Sequence, residues 1–423
     1  MTAEAGNPRF GLVTATALVV ASMVGTGVFT TSGLLLADLG RPDRVLLVWL
    51  LGGLLATCGA LSYGALARHM PESGGEYLFL SRTLHPAAGN IAGWVSLLVG
   101  FSAPLAAAAY GFGEYLKHWF PALAPQWPAT ALLAGVALIH GGDARTGAAV
   151  QNFTVALKVL LMLGLIACAL PRLPELPPPP PPRGGAADLA LGLVWASFSY
   201  SGWNAAVYVA GEVRDPSRNL PRALLLGTAA VTLLYLALNA ALLQAAPAAQ
   251  LAGKIEVARV AALSLGGPAW ADAVSLLVAL ALGTTASAMM MAGPRVYLRM
   301  AQDGYLPAWL AQDSGTPRAA VALQWGLALL MLWTAAFSSL LTYIGFTLSL
   351  SSGAAVIGLM RLKLRDGQAL PVAGWPWVPA LFLLGVGWMA LATILRQPLE
   401  SLWGLATCGI GWVSWRCRRD SIR

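Results

Sequence analysis

The sequence predicts an all-α integral membrane protein of about twelve transmembrane helices, with the first and sixth broken. Three observations predict it. Of the 423 residues, 57% are hydrophobic and 10% charged, whereas a soluble globular chain carries about 25% charge. Apolar stretches close to the roughly 20 residues that cross the hydrocarbon recur along the whole chain. Two of them are interrupted by glycine, at Met23-Val-Gly-Thr-Gly-Val-Phe29 and Phe198-Ser-Tyr-Ser-Gly-Trp-Asn204. A helix in lipid satisfies its own backbone, so an interruption strands amides and carbonyls at several kcal/mol each unless they face protein, water or a ligand.

The strongest stretches lie near 10–37, 45–67, 88–115, 148–170, 187–211, 222–246, 269–294, 377–396 and 400–416. A weaker one near 129–142 is too short alone and is expected to extend backwards past Pro128. The uncharged run from Ala319 to Met360 is long enough for two spans, with a turn expected at Phe337-Ser-Ser339. The whole chain reads as a single transmembrane domain.

The net charge of +8 would suit a nucleic-acid binder, but its placement argues otherwise. With twelve spans, both termini and every even-numbered loop share one side. Roughly two-thirds of the 26 lysines and arginines fall there, among them Arg68, Arg214, Arg218, Arg295, Arg361 and Arg416. That bias orients both termini to the cytoplasm of a cell (inner) membrane protein, with the bilayer as partner and no nucleic acid.

Arg9 ahead of an apolar run imitates a signal peptide, but the run continues to Leu36 without a convincing cleavage site. The four cysteines lack metal or redox spacing, so neither a metal, a cofactor nor a structural disulfide is expected. His69, His85, His118 and His140 sit at span ends or loops and receive no role.

The loops on the two faces differ in kind. On the cytoplasmic side, Arg68-His-Met-Pro-Glu-Ser-Gly-Gly-Glu-Tyr77, Glu212-Val-Arg-Asp-Pro-Ser-Arg-Asn-Leu-Pro-Arg222 and the stretch from Arg295 to Arg318 combine charge with Pro and Gly turns. Glu212, Arg214, Asp215 and Arg218 read as a solvated network, with closure of that face as the alternative. Outside, Pro177 to Pro182 form a stiff polyproline spacer. The breaks open spans one and six, which suggests two five-helix units of opposite orientation, near 10–170 and 187–360, with 377–416 outside them.

Each break has its own chemistry. Gly25, Thr26 and Gly27 remove bulk, so backbone amides can approach a ligand closely. The half-helix after Gly27 presents free N–H groups and the positive end of a dipole to a carboxylate, with the Thr26 hydroxyl as a further donor. The half-helix ending near Met23 exposes carbonyls suited to an ammonium group. Carbonyls of Phe198 and Ser201, loosened by Gly202, offer the same from the second break. Together these describe the head of an α-amino acid. Close helix packing through small residues is the competing explanation for either glycine pattern alone. Phe198 and Trp203 flank the second break as candidate gates.

Lys158 is the clear formal charge inside a span, and such a group is expensive there. It is either a protonation switch or a fixed ammonium tying the unwound carbonyls of span one to span five. Tyr343 and Phe346 read as packing. Ser102, Ala103 and Ser287 are small residues that could line a side-chain pocket, with nothing in the sequence to select them.

These motifs resemble those of the amino acid–polyamine–organocation superfamily, and most of all its L-type amino acid transporter branch. Met-Val-Gly-Thr-Gly-Val-Phe is similar to that superfamily's Ile-Ile-Gly-Ser-Gly-Ile-Phe signature. The second break with its following loop, Pro-Glu-Ser-Gly-Gly-Glu-Tyr77, Val150-Gln-Asn with Lys158, and Met300-Ala-Gln-Asp-Gly-Tyr-Leu-Pro307 match in the same order. The resemblance implies the leucine-transporter fold, with its 5+5 inverted repeat and alternating access. It implies that Thr26 and Gly27 bind the substrate carboxylate, while Met23, Phe198 and Ser201 carbonyls bind its amino group. Lys158 would then stand where sodium sits in sodium-coupled relatives. Thr26 replaces the commoner serine and keeps the hydroxyl, whereas Gly211 replaces an acid often found before Glu212. The branch's external cysteine before span four is missing, so no obligate glycoprotein partner is expected.

The function implied is sodium-independent secondary transport of neutral L-amino acids, by exchange. Proton-coupled uptake through Lys158 is the alternative. A polytopic membrane enzyme is disfavoured, because no cluster of His, Asp or Glu lies within the spans.

Overall fold

The structure is a computed structural model that describes residues 10–141, 147–170, 185–311, 317–366 and 371–421. The polyproline run lies outside the described residues, as does the side chain of Asn152 beside Val150 and Gln151. The described chain is helical, and its pairing outside helices is a bridge between Phe10 and Val213.

The first span is broken where the glycines predict. α1 (Leu12–Met23) and α2 (Gly27–Leu39) meet at a 43° bend across Val24, Gly25 and Thr26. α2 ends on Gly40 in the left-handed region. Pro42 then opens α3 (Pro42–His69), whose 28 residues return across the membrane. Part of the loop that follows is helical: α4 (Gly75–Thr83) packs against α5 (Pro86–Val95). Glycine and proline in that stretch set its ends and not a disordered turn.

The third span contains a feature the sequence conceals. Between α5 and α6 (Ala103–Leu116), residues Ser96–Ser102 wind as a π-helix. Its widened turn is held by side chains: Ser102 Oγ donates to the Leu97 carbonyl at 2.8 Å, and Tyr297 Oη donates to the same oxygen at 3.0 Å. Ser102 therefore reinforces the backbone of its own span.

α7 (Gln126–Gly141) does start ahead of Pro128, and α8 (Gly147–Ala169) carries Lys158. α9 (Ala186–Tyr200) runs into the second break, after which a 3-10 helix covers Ala205–Glu212. α10 (Pro216–Ala245) and the short α11 (Ala248–Leu251) follow. α12 (Val257–Gln302) is kinked at Gly267, so a separate helical piece precedes the span proper.

α13 (Arg318–Thr334) and α14 (Phe337–Asp366) divide the long uncharged run, but the turn lies at Ala335-Ala336. Phe337-Ser-Ser339, expected as that turn, instead opens α14: Phe337 is buried against Tyr110, and Ser339 donates to Glu400 at 2.8 Å. Burial of one aromatic ring decides the register. α15 (Trp377–Arg396) and α16 (Pro398–Ser421) complete the bundle. Among the described residues six helices, with α5, the π-helix and α6 counted as one, are long and apolar enough to cross a membrane, or seven with the bent pair as one span; Ala156–Ala169 and Arg318–Thr334 are shorter apolar helices. Leucines such as Leu276, Leu384 and Leu402 are exposed on the bundle exterior, as lipid contact requires.

Candidate functional site

The two breaks cross at the centre of the bundle, and the fit is set by what the glycines lack. A Cβ on Gly27 would lie inside Ser199 of α9. Gly202 has φ +100°, a conformation open to glycine, and a Cβ there would meet the Ser22 carbonyl at 2.6 Å. Each break therefore rests on the half-helix of the other.

At the first break, Val24 leaves helical geometry (φ −72°, ψ 87°) while its amide still donates to Val20. Thr26 caps α2 without using its side chain, and it is 4% exposed. Its carbonyl accepts from the Phe29 amide and the Thr30 hydroxyl. Among the described residues, the amides of Thr26 and Gly27 close no backbone hydrogen bond across the gap. These are the donors that the start of a helix leaves for an anion.

At the second break, Ser201 is extended (φ −54°, ψ 144°) and its amide donates to Phe198 at 3.0 Å. Phe198 thus keeps one carbonyl lone pair free, not two. Met23 differs in a similar way: Tyr235 Oη, from α10, donates to its carbonyl at 2.6 Å and to the Ser199 carbonyl at 3.2 Å. One phenol bridges both broken spans. The sequence offered no sign of this, because a tyrosine in an apolar run looks like packing.

Lys158 does not reach the unwound carbonyls of span one in this structure. Its Nζ donates to Thr285 Oγ1 of α12 at 2.6 Å. The Thr285 methyl in turn lies 3.9 Å from where a Cβ on Gly25 would stand. The ammonium is thus held by a threonine whose methyl faces the first break, which spacing along the chain could not reveal. Ser287, from the same helix, pairs with His140 at 2.8 Å.

Trp203 is 8% exposed, with its ring edge-on to Tyr63 (4.7 Å) and Phe382 (6.2 Å). Phe198 is also buried. Tyr343 bonds Thr407 of α16, in keeping with packing. At the end of the bundle that carries Phe10, the Phe10 amide donates to the Glu212 carbonyl at 3.0 Å. The Arg214 amide returns a bond to Phe10 at 2.9 Å, so the first described residue is pinned to the loop after the second break. At the opposite end, the Gly253 amide donates to Gly33 of α2 at 2.7 Å, and Tyr115 Oη donates to the Phe29 carbonyl at 2.8 Å.

At this crossing the Thr26 and Gly27 amides of one broken span and the Phe198 and Ser199 carbonyls of the other are brought to the same region. The sequence profile of the family described as Amino acid permease matches residues 10–414. The chain belongs to the amino acid permease family. This permease is a multi-pass membrane transporter, not an enzyme.

Its sequence is 28% identical to the large neutral amino acids transporter small subunit 2 of Mus musculus, over 95% of this chain and 78% of that protein. It is 27% identical to the Asc-type amino acid transporter 1 of Mus musculus, again over 95% and 78%. The b(0,+)-type amino acid transporter 1 of Homo sapiens is 26% identical over 92% of the permease and 83% of its own length.

Proposed function

We propose that this permease exchanges neutral L-amino acids across a cell (inner) membrane by alternating access, without sodium and with both termini in the cytoplasm. The observation that carries the reading is the crossing of the two breaks at Gly27–Ser199 and Gly202–Ser22. The names of the relatives support the substrate class.

In this reading the amides of Gly25, Thr26 and Gly27, with the Thr26 hydroxyl, receive the substrate carboxylate. The carbonyls of Met23, Phe198 and Ser201 receive its ammonium group. Among the described residues no acidic side chain bonds the groups of either break named here, which suits a zwitterion better than a polyamine. Lys158 and Thr285 hold the position that a cation would otherwise fill, which supports transport without sodium. Phe198 and Trp203 act as gates only if the second break moves, since both are packed here. No glycoprotein partner is included in the proposal.

Labelled alanine, serine, leucine and methionine offered to proteoliposomes, at equal pH and without sodium, test it. Uptake is expected only when the vesicles hold unlabelled amino acid. Equal uptake into empty vesicles would replace exchange by uniport. Uptake that needs an imposed pH gradient would move Lys158 from fixed tie to proton site.

A further inference from the structure

One buried carboxylate has no part in that mechanism. Glu76, in the first turn of α4, is 7% exposed. Tyr63 Oη of α3 donates to its Oε1 at 2.7 Å, and Asn204 Nδ2 donates to the same oxygen at 3.1 Å. Ser351 Oγ of α14 donates to Oε2 at 2.6 Å. Asn204 is the last residue of the second break, and Trp203 beside it packs on the Tyr63 ring. Three elements are thus fastened to the second break through one carboxylate.

A buried carboxylate ordinarily sits beside a cation, and among the described residues none stands beside Glu76. From α3 the titratable neighbour is Tyr63; from the 3-10 helix it is Tyr208, whose ring covers Gly75. α14 contributes the neutral Ser351. Its Arg361 is turned to the Leu84 carbonyl. His85, which caps α5, is engaged with the Ala87 amide and Trp415. The ion pair of Glu72 with Arg82 is exposed and separate. Burial pushes the Glu76 carboxyl above the usual carboxylate range, and the bonds from Ser351, Tyr63 and Asn204 oppose that rise.

We propose that Glu76 is a proton-binding site that latches the second break on the side of the termini. Ionised, it accepts three donors and holds residues 201–212 against α3 and α14. Protonated, the carboxyl loses the charge that strengthens these bonds. Its hydrogen is taken by the Ser351 or Tyr63 hydroxyl, which then accepts instead of donating, so the three charge-assisted bonds weaken. The latch loosens as pH falls on that side, and the permease opens there more readily. The role in opening rests on the transport reading above; the proton site and the local loosening do not.

Hydrogen exchange of the 201–212 backbone in the substrate-free protein, corrected for intrinsic rates, tests the latch at about pH 7.5 and about pH 5.5. Wild type is expected to exchange about tenfold faster at the lower pH. Glu76→Gln is expected to show the fast rate at both. A Glu76→Gln protein with wild-type protection and wild-type pH response would overturn the proposal. Should that variant fail to fold, Ser351→Ala keeps the carboxylate and removes one donor to its charged form. The pH at which protection falls should then move up by about one unit, and an unmoved midpoint also refutes the latch. Neither readout requires a substrate, so a failed latch is distinguished from a wrong substrate assignment.

Discussion

The two broken helices look alike in sequence and are held in different ways. The first is a bend of three residues that presents main-chain groups, the amides of Thr26 and Gly27 and the Met23 carbonyl that the Tyr235 hydroxyl touches. The second continues into a 3-10 helix and is gripped by side chains, with Trp203 between Tyr63 and Phe382 and Asn204 on Glu76. Main-chain groups cannot be exchanged by mutation, so the first break suits the invariant head group of a substrate. Side-chain bonds can be made and released, so the second break suits a part that moves. In the reading proposed above both breaks lend backbone to the head group, and the second adds the side-chain bonds that a switch needs.

The comparison breaks first at its glycines. Gly202→Ala would force a Cβ into the positive-φ region and onto the Ser22 carbonyl. Strain of about 1–3 kcal/mol from the backbone adds to a contact that cannot relax without parting the breaks. The expected result is a loss of thermal stability of several degrees, read by unfolding in detergent, with transport abolished. Gly27→Ala overpacks Ser199 and should cost about 1–3 kcal/mol. The double variant Gly27→Ala/Ser199→Gly removes the Oγ and Cβ contacts but leaves the residue-199 Cα at 2.6 Å, so it should recover part of the stability. If it does not, the crossing is not the contact that matters.

The breaks themselves were legible because membrane helices tolerate no idle interruption, so Gly25-Thr-Gly27 and Gly202 announced where the helices part. Most span limits followed from apolar length to within a few residues, but α10 starts at Pro216 instead of 222, and α12 runs from Val257 to Gln302 where 269–294 was expected. What could not be read was lateral: which residue of one helix faces which residue of another. Lys158 was visible as a charge, yet its partner Thr285 lies on a helix 127 positions later. Tyr235 reaches its partners across the bundle and carries no local pattern; Glu76 stands inside Pro-Glu-Ser-Gly-Gly-Glu-Tyr77, yet its partners Asn204 and Ser351 lie far along the chain. The π-helix at Ser96–Ser102 was equally hidden, since its stabilising Tyr297 comes from α12. The misplaced turn near Phe337 has the same origin. The ring of Tyr110, on another span, draws that residue into a helix.

Lys158→Ala sharpens the comparison from the side of the first break. It leaves Thr285 with its bond to the Ala281 carbonyl and removes the ammonium between α8 and α12. Exchange should fall by at least tenfold, or become sensitive to an imposed ion gradient, in proteoliposomes. Unaltered exchange and coupling would strip Lys158 of both roles considered for it.

Tyr235→Phe addresses the one side chain shared by both breaks. Loss of a bond to each of the Met23 and Ser199 carbonyls should cost about 1–2 kcal/mol. If the phenol aligns the halves for the head group, apparent affinity falls for all substrates in the same ratio. A change confined to large substrates would place Tyr235 in the side-chain pocket instead.

The smallest expected effect is the most discriminating. Thr26→Ala removes one hydroxyl and leaves the amides of Thr26 and Gly27 in place. A net contribution of about 0.5–1.5 kcal/mol corresponds to a threefold to roughly tenfold loss of affinity. Because the carboxylate is common to alanine, serine, leucine and methionine, the loss should be the same for all four in competition assays. A loss that varies with the substrate's side chain would mean that Thr26 reads the part that differs. Recognition would then not divide between backbone and side chains as the two breaks suggest.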